Sequence, residues 1–384
     1  VDEIANAIIV APISTMGAWS RDIEKLTPSR RELLKSKLTV INYDIVWRRE
    51  KIHEAKWDCV VLDEAHAIKH RTSKRSKAVR KMGRAAKYRY ILTGTPMSNG
   101  HLEEYWAQFN FLNPNIFGEY KDFENRYCLL NIFKKPYKYR HVEELKETIA
   151  EYSYRVTKEE CLDLPDKLED ELIEVELKEK SKYKEMLNNF IKELEVEASN
   201  PLVRMIKLRQ LCSGFINDDE GQTIELKSEK ISIVEELLEA RGDKKTVIFA
   251  EYKYSIALIE RLLTRLKINH VTLNGDQKDK TIWKQFQSDD SIQAIVCQYQ
   301  TANAGIDLYA SDTIIFYEPT LSSMINEQAK DRIHRIGQHH PCSYYYLITK
   351  GTIEEKIYNT LIKGRDFGKE VLLDFVRQQK GTKQ

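Results

Sequence analysis

No apolar stretch of this 384-residue chain approaches the roughly 20 residues that a membrane-spanning helix requires, so no helical span is expected. Its start, VDEIANAIIVAP, is acidic where a secretory signal carries a basic region, and a secreted fate is not expected. The six cysteines, Cys59, Cys128, Cys161, Cys212, Cys297 and Cys342, contain no CxxC pair. Cys59 and Cys297 fall inside apolar, strand-like runs, so the thiols read as buried groups in a reducing compartment. The nine histidines show no HExxH spacing, and the doublet His339-His340 before Pro341 reads as a loop rather than a metal site. An excess of one charge sign is lacking as well. Sixty-one basic and 59 acidic side chains leave a formal charge of +2, which by itself says little about nucleic acid.

What is present suits a folded, soluble, highly charged protein: 42% hydrophobic and 31% charged residues. At roughly 150 residues per domain the length corresponds to two domains with insertions. The charges are unevenly placed. Residues 69–89, KHRTSKRSKAVRKMGRAAKYR, hold ten Lys or Arg and no acid. A solvated helix face reads this way too, but so long a run without an acid favours phosphate-backbone contact. Short apolar runs at 7–13, 38–43, 58–64 and 89–95 predict buried strands, with an amphipathic helix over 18–36. A second such series, 246–251, 270–274, 293–298, 312–318 and 343–349, is interleaved with helical patterns at 229–241, 253–267, 278–287 and 322–335. Strands alternating with helices imply parallel sheets covered on both faces. Between the two series, Ile173, Val175 and Leu177 alternate like a strand. Tyr183, Met186, Leu187, Phe190, Ile191 and Leu194 have the spacing of a helical packing stripe. Residues 217–223, NDDEGQT, read as a polar turn, and 352–364 as a closing helix.

Several clusters have chemical potential. Asp63-Glu64 end an apolar strand in VVLDEAH. A nucleotide site needs one carboxylate there for Mg²⁺ and a second to orient or deprotonate water. Taken alone, the pair is also what an exposed strand end looks like. Thr93-Gly94-Thr95-Pro96 offers hydroxyls to those carboxylates, or is a simple Gly-Pro turn. Gly305 permits close backbone approach to a nucleotide, and Asp307 is placed to bond a ribose or an arginine. Arg332 and Arg335 are three apart, so on a helix they share a face and suit a transferring phosphoryl group, or form a basic surface.

The order and spacing of these clusters resemble a Swi/Snf-related ATPase of helicase superfamily 2, of the compact kind found in prokaryotes and phages. LDEAH is similar to that family's motif II, LTGTP to motif III, and IIVAPISTMGAW to motif Ia with Trp19 following it. VIFAEY resembles motif IV, ANAGIDL motif V, and QAKDRIHRIGQ motif VI, which is highly specific. LVRMIKLRQLCSGF (202–215) and TIEEKI (352–357) also resemble segments of these proteins. The resemblance covers nearly the whole chain. It implies an α/β protein of two RecA-like parallel-sheet lobes joined by a helical insertion. Lobe 1 would be 1–160, the linker and insertion 161–227, lobe 2 228–350, and a C-terminal helical segment 351–384. It further implies an ATP- and Mg²⁺-dependent motor that tracks along double-stranded DNA, with ATP between the lobes. Asp63 and Glu64 would serve Mg²⁺ and water, with Asp63 holding the metal through the nucleotide. Arg332 and Arg335 would act as arginine fingers, and Gly305 and Asp307 would line the nucleotide. His66, Thr93, Thr95 and Gln328 would couple the sites. Lys69, Arg71, Lys74, Arg75, Lys207 and Arg209 are candidates for the DNA track. A monomer in the cytoplasm of a prokaryotic or phage-infected cell is expected.

One part of the pattern is absent. The family's motif I, GxxxxGK[ST], has no match in the 384 residues. GRDFGKE (364–370) lacks the Ser or Thr, and RGDKKT (241–246) lacks the second Gly. Neither follows a strand and opens a helix. Without the backbone donors and lysine of that loop, ATP affinity and turnover should suffer. The expectation is a motor shortened at its N-terminus, the loop coming from a preceding segment or a protein partner. The alternative is an inactive DNA- or protein-binding module derived from such a motor.

Overall fold

The computed structural model of the protein describes residues 4–381, apart from 98, 99, 133, 196–200, 219, 278, 280, 303 and 304. It divides into two compact units, Val1–Thr157 and Lys158–Gln384. No helix among the described residues is long and apolar enough to cross a membrane.

In the first unit, β1 (Ala7–Ala11), β2 (Leu38–Asn42), β3 (Cys59–Asp63) and β4 (Tyr88–Leu92) form a parallel sheet in the order β2-β1-β3-β4. β1 and β3 each have a strand on both sides, which is why AIIVA and CVVLD are continuous apolar runs rather than alternating ones. Ile8, Val10, Val60 and Leu62 face a core completed by Val79 and Met82 of the Lys74–Ala85 helix and by Phe111. The helix expected over 18–36 is instead two, Ile13–Glu24 and Pro28–Lys37. Pro28 carries no N–H and disfavours helical backbone at Thr27, so the chain breaks there and restarts with proline in the first turn. β4 is an edge strand whose Tyr90 and Leu92 are 53% and 44% exposed. An edge of this kind remains open to pairing. The aromatic segment 101–150 packs Trp106, Phe123 and Tyr127 with Phe117 and Tyr120, and holds an antiparallel hairpin of β5 (Cys128–Leu130) and β6 (Pro136–Tyr139).

The second unit has a six-stranded parallel sheet. Its strands are β7 (Lys167–Val175), β10 (Thr246–Ala250), β11 (His270–Leu273), β12 (Ala294–Gln298), β13 (Thr313–Phe316) and β14 (Cys342–Thr349), ordered β11-β12-β10-β13-β14-β7. A separate hairpin pairs β8 (Phe215–Asn217) with β9 (Thr223–Glu225) across the expected polar turn, of which Asp219 lies outside the described residues. The sheet sorts its side chains by alternation. Val247, Phe249, Ile295, Ile314 and Phe316 pack on one face, and Ile248, Ala250, Val296, Ile315 and Tyr317 on the other. The stretch read as a linker thus begins with a strand of this sheet, β7 lying beside β14. Its helices, Lys180–Glu195 and Pro201–Cys212, build a further core with Ile353–Leu361 and Lys369–Gly381 through Tyr183, Leu187, Phe190, Leu208 and Ile357. The side chain of Leu194 lies outside the described residues, as do Lys278 and Lys280 ahead of the Trp283–Ser288 helix. All six thiols are free, and every one but Cys161 is buried.

Candidate active site

In the first sheet the chain leaves β1 toward β2 on one side and returns to β3 on the other. That reversal opens a crevice at the carboxyl ends of β1 and β3, where ligands of open α/β sheets bind. Asp63 ends β3 there. Its Oδ2 accepts from Trp19 Nε1 at 2.9 Å, and its carbonyl accepts from the Tyr43 hydroxyl at 2.8 Å. Burial, reinforced by Asp63 and Glu64, pushes the Tyr43 pKa well above its ordinary value, so it stays a donor. Glu64 adopts a left-handed conformation, φ 50° and ψ 55°, which L side chains rarely adopt outside constrained sites. Its backbone turn leads into the short Ala65–Ile68 helix. Glu64 Oε2 is buried without a hydrogen bond, and His66 Nδ1 lies 3.2 Å from it. The same nitrogen is 3.4 Å from Thr93 Oγ1, which accepts from Thr95 N at 3.2 Å. Thr93 therefore meets the acidic pair through His66, not by bonding the carboxylates directly as the sequence suggested. A magnesium–nucleotide group asks for hard oxygen donors. Two adjacent carboxylates, one with an orphaned buried oxygen, fit it.

In the second unit the Ser323–Lys330 helix stops short of both arginines, correcting the expectation that they share a helical face. Beyond Lys330 the backbone tightens: Arg332 N donates to Ala329 O at 3.1 Å and Arg335 N to Ile333 O at 3.1 Å. Gly337 follows at φ +101°, where a Cβ would meet the Tyr309 ring at 3.0 Å. The arginines nevertheless converge on one segment. Arg332 is buried, its Nε donating to Gln328 O at 2.8 Å and its Nη1 to Ile306 O at 3.2 Å. Leu308 N donates back to Arg332 O at 2.8 Å. Arg335 Nε lies 3.0 Å from Asp307 Oδ1. Gly305 sits at φ +76°, and Asn303 and Ala304 before it lie outside the described residues. Asp331, between the arginines, is 2.7 Å from Lys158 Nζ and 3.0 Å from Lys167 Nζ. Burial opposes its charge, but the two lysines outweigh it and hold its pKa below the ordinary range.

The basic candidates divide. Lys69 lies 3.4 Å from Glu104, the Arg71 guanidinium stacks 3.7 Å over the Tyr120 ring, and Arg75 holds Asp44 at 2.6 and 2.9 Å. Lys74 is exposed beside Trp47, and with Lys77, Lys81 and Arg84 it lines the outer face of its helix. Lys207 is half-buried. Arg209 is a correction. It is 2% exposed, donates from Nη2 to Pro319 O at 2.7 Å and packs on the Tyr252 ring, so it is not presented to a phosphate backbone.

Arg209 belongs to a polar cluster that sequence reasoning missed. It lies at the carboxyl ends of β10 and β13, the reversal point of the second sheet. Glu318 there is fully buried; it accepts from Glu251 N at 2.9 Å and from the Ser255 hydroxyl, and burial raises its pKa. Beside it Lys230 Nζ donates to Tyr317 O at 2.8 Å and to Glu354 Oε1 at 2.7 Å, both side chains wholly buried. The segments LVRMIKLRQLCSGF and TIEEKI supply Arg209 and Glu354, so their distinctive composition reflects this cluster. Trp19 and Tyr43, which hold Asp63, gave no signal of that role in the sequence.

Likeness to known proteins extends along the chain. An SNF2-related domain matches residues 29–215, and a helicase conserved C-terminal domain matches 229–337. An uncharacterized ATP-dependent helicase of Mycoplasma genitalium is 27% identical, over 96% of this chain and 37% of that protein. The ISWI chromatin-remodeling complex ATPase ISW1 of Saccharomyces cerevisiae is 26% identical, over 91% of this chain and 34% of that protein. The chain thus spans little more than a third of these relatives' length. A solved SWI2/SNF2 ATPase core of Sulfolobus solfataricus in complex with dsDNA is 26% identical, over 94% of this chain and 81% of that one, with a TM-score of 0.42. The chain thus carries an SNF2-related domain followed by a helicase conserved C-terminal domain.

Proposed function

We propose that the protein works as an ATP-hydrolysing motor on double-stranded DNA, translocating along the duplex rather than separating its strands. The observation that carries the reading is Glu64. It is held in left-handed backbone beside Asp63 with a buried carboxylate oxygen that accepts no hydrogen bond. Strained, under-satisfied carboxylates of this kind are costly, and they persist where chemistry uses them. In this reading Asp63 would hold Mg²⁺ with the nucleotide, and a bound ion would supply charge neutralisation at the phosphates. Glu64 orients and deprotonates the attacking water, with His66 Nδ1 3.2 Å from its carboxylate. Arg335 offsets charge on the transferring phosphoryl group, and Arg332, bonded to the carbonyls of Gln328 and Ile306, holds the segment that presents it. DNA contact would be with the backbone and therefore salt-sensitive.

The missing GxxxxGK[ST] loop favours a second reading for these 384 residues: a module that binds DNA or protein without turnover. Measuring ATP hydrolysis with and without duplex DNA, beside Glu64→Gln, separates the two. Turnover that rises with DNA and is lost in Glu64→Gln is the result expected of the motor. Duplex binding with no turnover in either protein supports the binding module. Turnover unchanged in Glu64→Gln removes Glu64 from its assigned role.

A further inference from the structure

The β5–β6 hairpin is built unlike the rest of its unit. Residues 128–140, CLLNIFKKPYKYR, contain Lys134, Lys135, Lys138 and Arg140 and no acid. Ile132 at the tip is 89% exposed and Tyr137 65% exposed. Phe133 lies outside the described residues. A strand pair this short has little stability of its own, so its base must be held by the rest of the unit. The Tyr139 hydroxyl bonds the Glu103 carboxylate, and Arg140 Nε donates to Arg126 O at 3.1 Å. Arg126 grips Glu144 with two bonds, of 2.6 and 2.8 Å, and Tyr127 adds a third at 2.7 Å. Underneath is the aromatic core of Trp106, Phe123 and Tyr127.

The tip is shaped as well as anchored. Asn131 N donates to Lys135 O at 2.9 Å, and Lys134 N to Asn131 O at 2.9 Å. Asn131 Oδ1 accepts from Lys135 N at 3.1 Å. Lys134 takes φ +55°, a left-handed conformation that closes the turn. At the base, Glu103 and Glu144 are already engaged by Tyr139, Arg126 and Tyr127. Among the described residues no carboxylate pairs with Lys134, Lys135 or Lys138, so their charge is uncompensated.

We propose that this hairpin is a duplex-DNA contact separate from the basic Lys74–Ala85 helix: Lys134, Lys135 and Lys138 bind phosphates, and Ile132 enters a groove. The proposal rests on the DNA-motor reading. Three unpaired ammoniums with no acid among them favour a polyanion over a protein surface. An exposed aliphatic tip beside cations is what minor-groove binders insert between base steps, and Ile132 next to Lys134 and Lys135 has that composition.

The test is duplex binding by the chain itself, read by anisotropy of a labelled duplex across a salt series, without nucleotide. The variants are Lys134→Glu/Lys135→Glu/Lys138→Glu, Ile132→Ala, and a charge-matched control, Lys180→Glu/Lys182→Glu/Lys184→Glu. Losing three phosphate contacts should lower the slope of log K against log salt by about 2 to 3 and weaken binding roughly tenfold or more at moderate salt. Ile132→Ala should weaken binding a few-fold with the slope unchanged, and the control should match the unsubstituted chain. The substituted side chains are exposed, so unchanged circular dichroism and melting are expected. If the triple hairpin variant keeps the parent's affinity and slope, the hairpin proposal is overturned while the motor reading stands. The hairpin proposal falls equally if the control loses as much affinity as the hairpin variant. If the unsubstituted chain binds no duplex at any salt, the motor reading itself fails.

Discussion

Replacing Lys230 with methionine removes an ammonium that is wholly buried and held by two acceptors, Glu354 Oε1 at 2.7 Å and Tyr317 O at 2.8 Å. Glu354 in turn accepts from Thr349 N at 2.9 Å. At an effective dielectric of ~20, charges 2.7 Å apart attract by about 6 kcal/mol. Desolvating each ion costs several kcal/mol, so the intact pair contributes little net stability. Breaking it is different. Lys230→Met leaves a carboxylate in the core with one backbone donor, at a cost of ~3–5 kcal/mol. Glu354→Leu strands the ammonium at a similar cost. The double variant removes both charges of the pair and leaves only Tyr317 O and Thr349 N short of a partner, about 1–3 kcal/mol each. It should be no less stable than Lys230→Met alone, giving a coupling energy of at least ~2 kcal/mol. With two units in the chain, global melting mixes transitions. Hydrogen exchange of β13 and β14 gives the local value, with β1 and β3 as an internal reference. Additive losses, or a loss under ~1 kcal/mol in Lys230→Met, would show that the charges do not depend on one another and would refute this account of the cluster.

Asp366, in the GRDFGKE segment that imitates a phosphate loop, instead caps the helix leading to the arginines. Its Oδ1 accepts from Ser323 N at 2.7 Å and from the Ser323 hydroxyl at 3.0 Å. Asp366→Ala should cost ~1 kcal/mol and speed exchange in Ser323–Lys330, while Asp366→Asn should keep most of the protection. His334 is held neutral by burial, with Nε2 2.8 Å from Pro165 O and its pKa pushed below 6.5. The unfolded chain therefore takes up this proton first. Stability is full above about pH 6.5 and falls as pH drops toward the depressed value. In urea melts across that range, His334→Gln should flatten the dependence; an unchanged slope would show that His334 is not its source.

The strands were legible because a parallel sheet covered on both faces leaves long apolar runs, and AIIVA, CVVLD and TVIFA have little else to be. β7 was less legible. Only its end, at Ile173 and Val175, alternates visibly; the rest of KLEDELIEV is an edge strand in which Leu168 and Leu172 are exposed among acids, so its extent is clear only once β14 is seen beside it. The acidic pair was legible as the end of β3, but the left-handed turn at Glu64 was not, since nothing in DEAH marks φ. Arg209 was misread because its neighbours in sequence are Lys207 and other helix formers. The partners that bury it, Tyr252 and Pro319, lie far along the chain. Local pattern reports which face of a helix is apolar, not which cation on it is enclosed by a distant strand end.

The same distinction separates the two arginines that the sequence treated as equivalent. Arg332 is 8% exposed and bonded to the carbonyls of Gln328 and Ile306, while its own carbonyl accepts from Leu308 N. Turning its guanidinium outward would break both bonds and strand the Ile306 carbonyl in buried surroundings, at about 1–3 kcal/mol if it is left unsatisfied. Arg335 is different. Its side chain is 43% exposed, and it pairs with the Asp307 carboxylate, 24% exposed. A pair so open to water contributes roughly 0–1 kcal/mol, which makes the exchange of Asp307 for a more highly charged phosphate inexpensive. Under the motor reading, Arg332 is therefore the group that locks residues 305–308 to the arginine segment. Arg335 is the group able to change partners, and Asp307 keeps it oriented until it does.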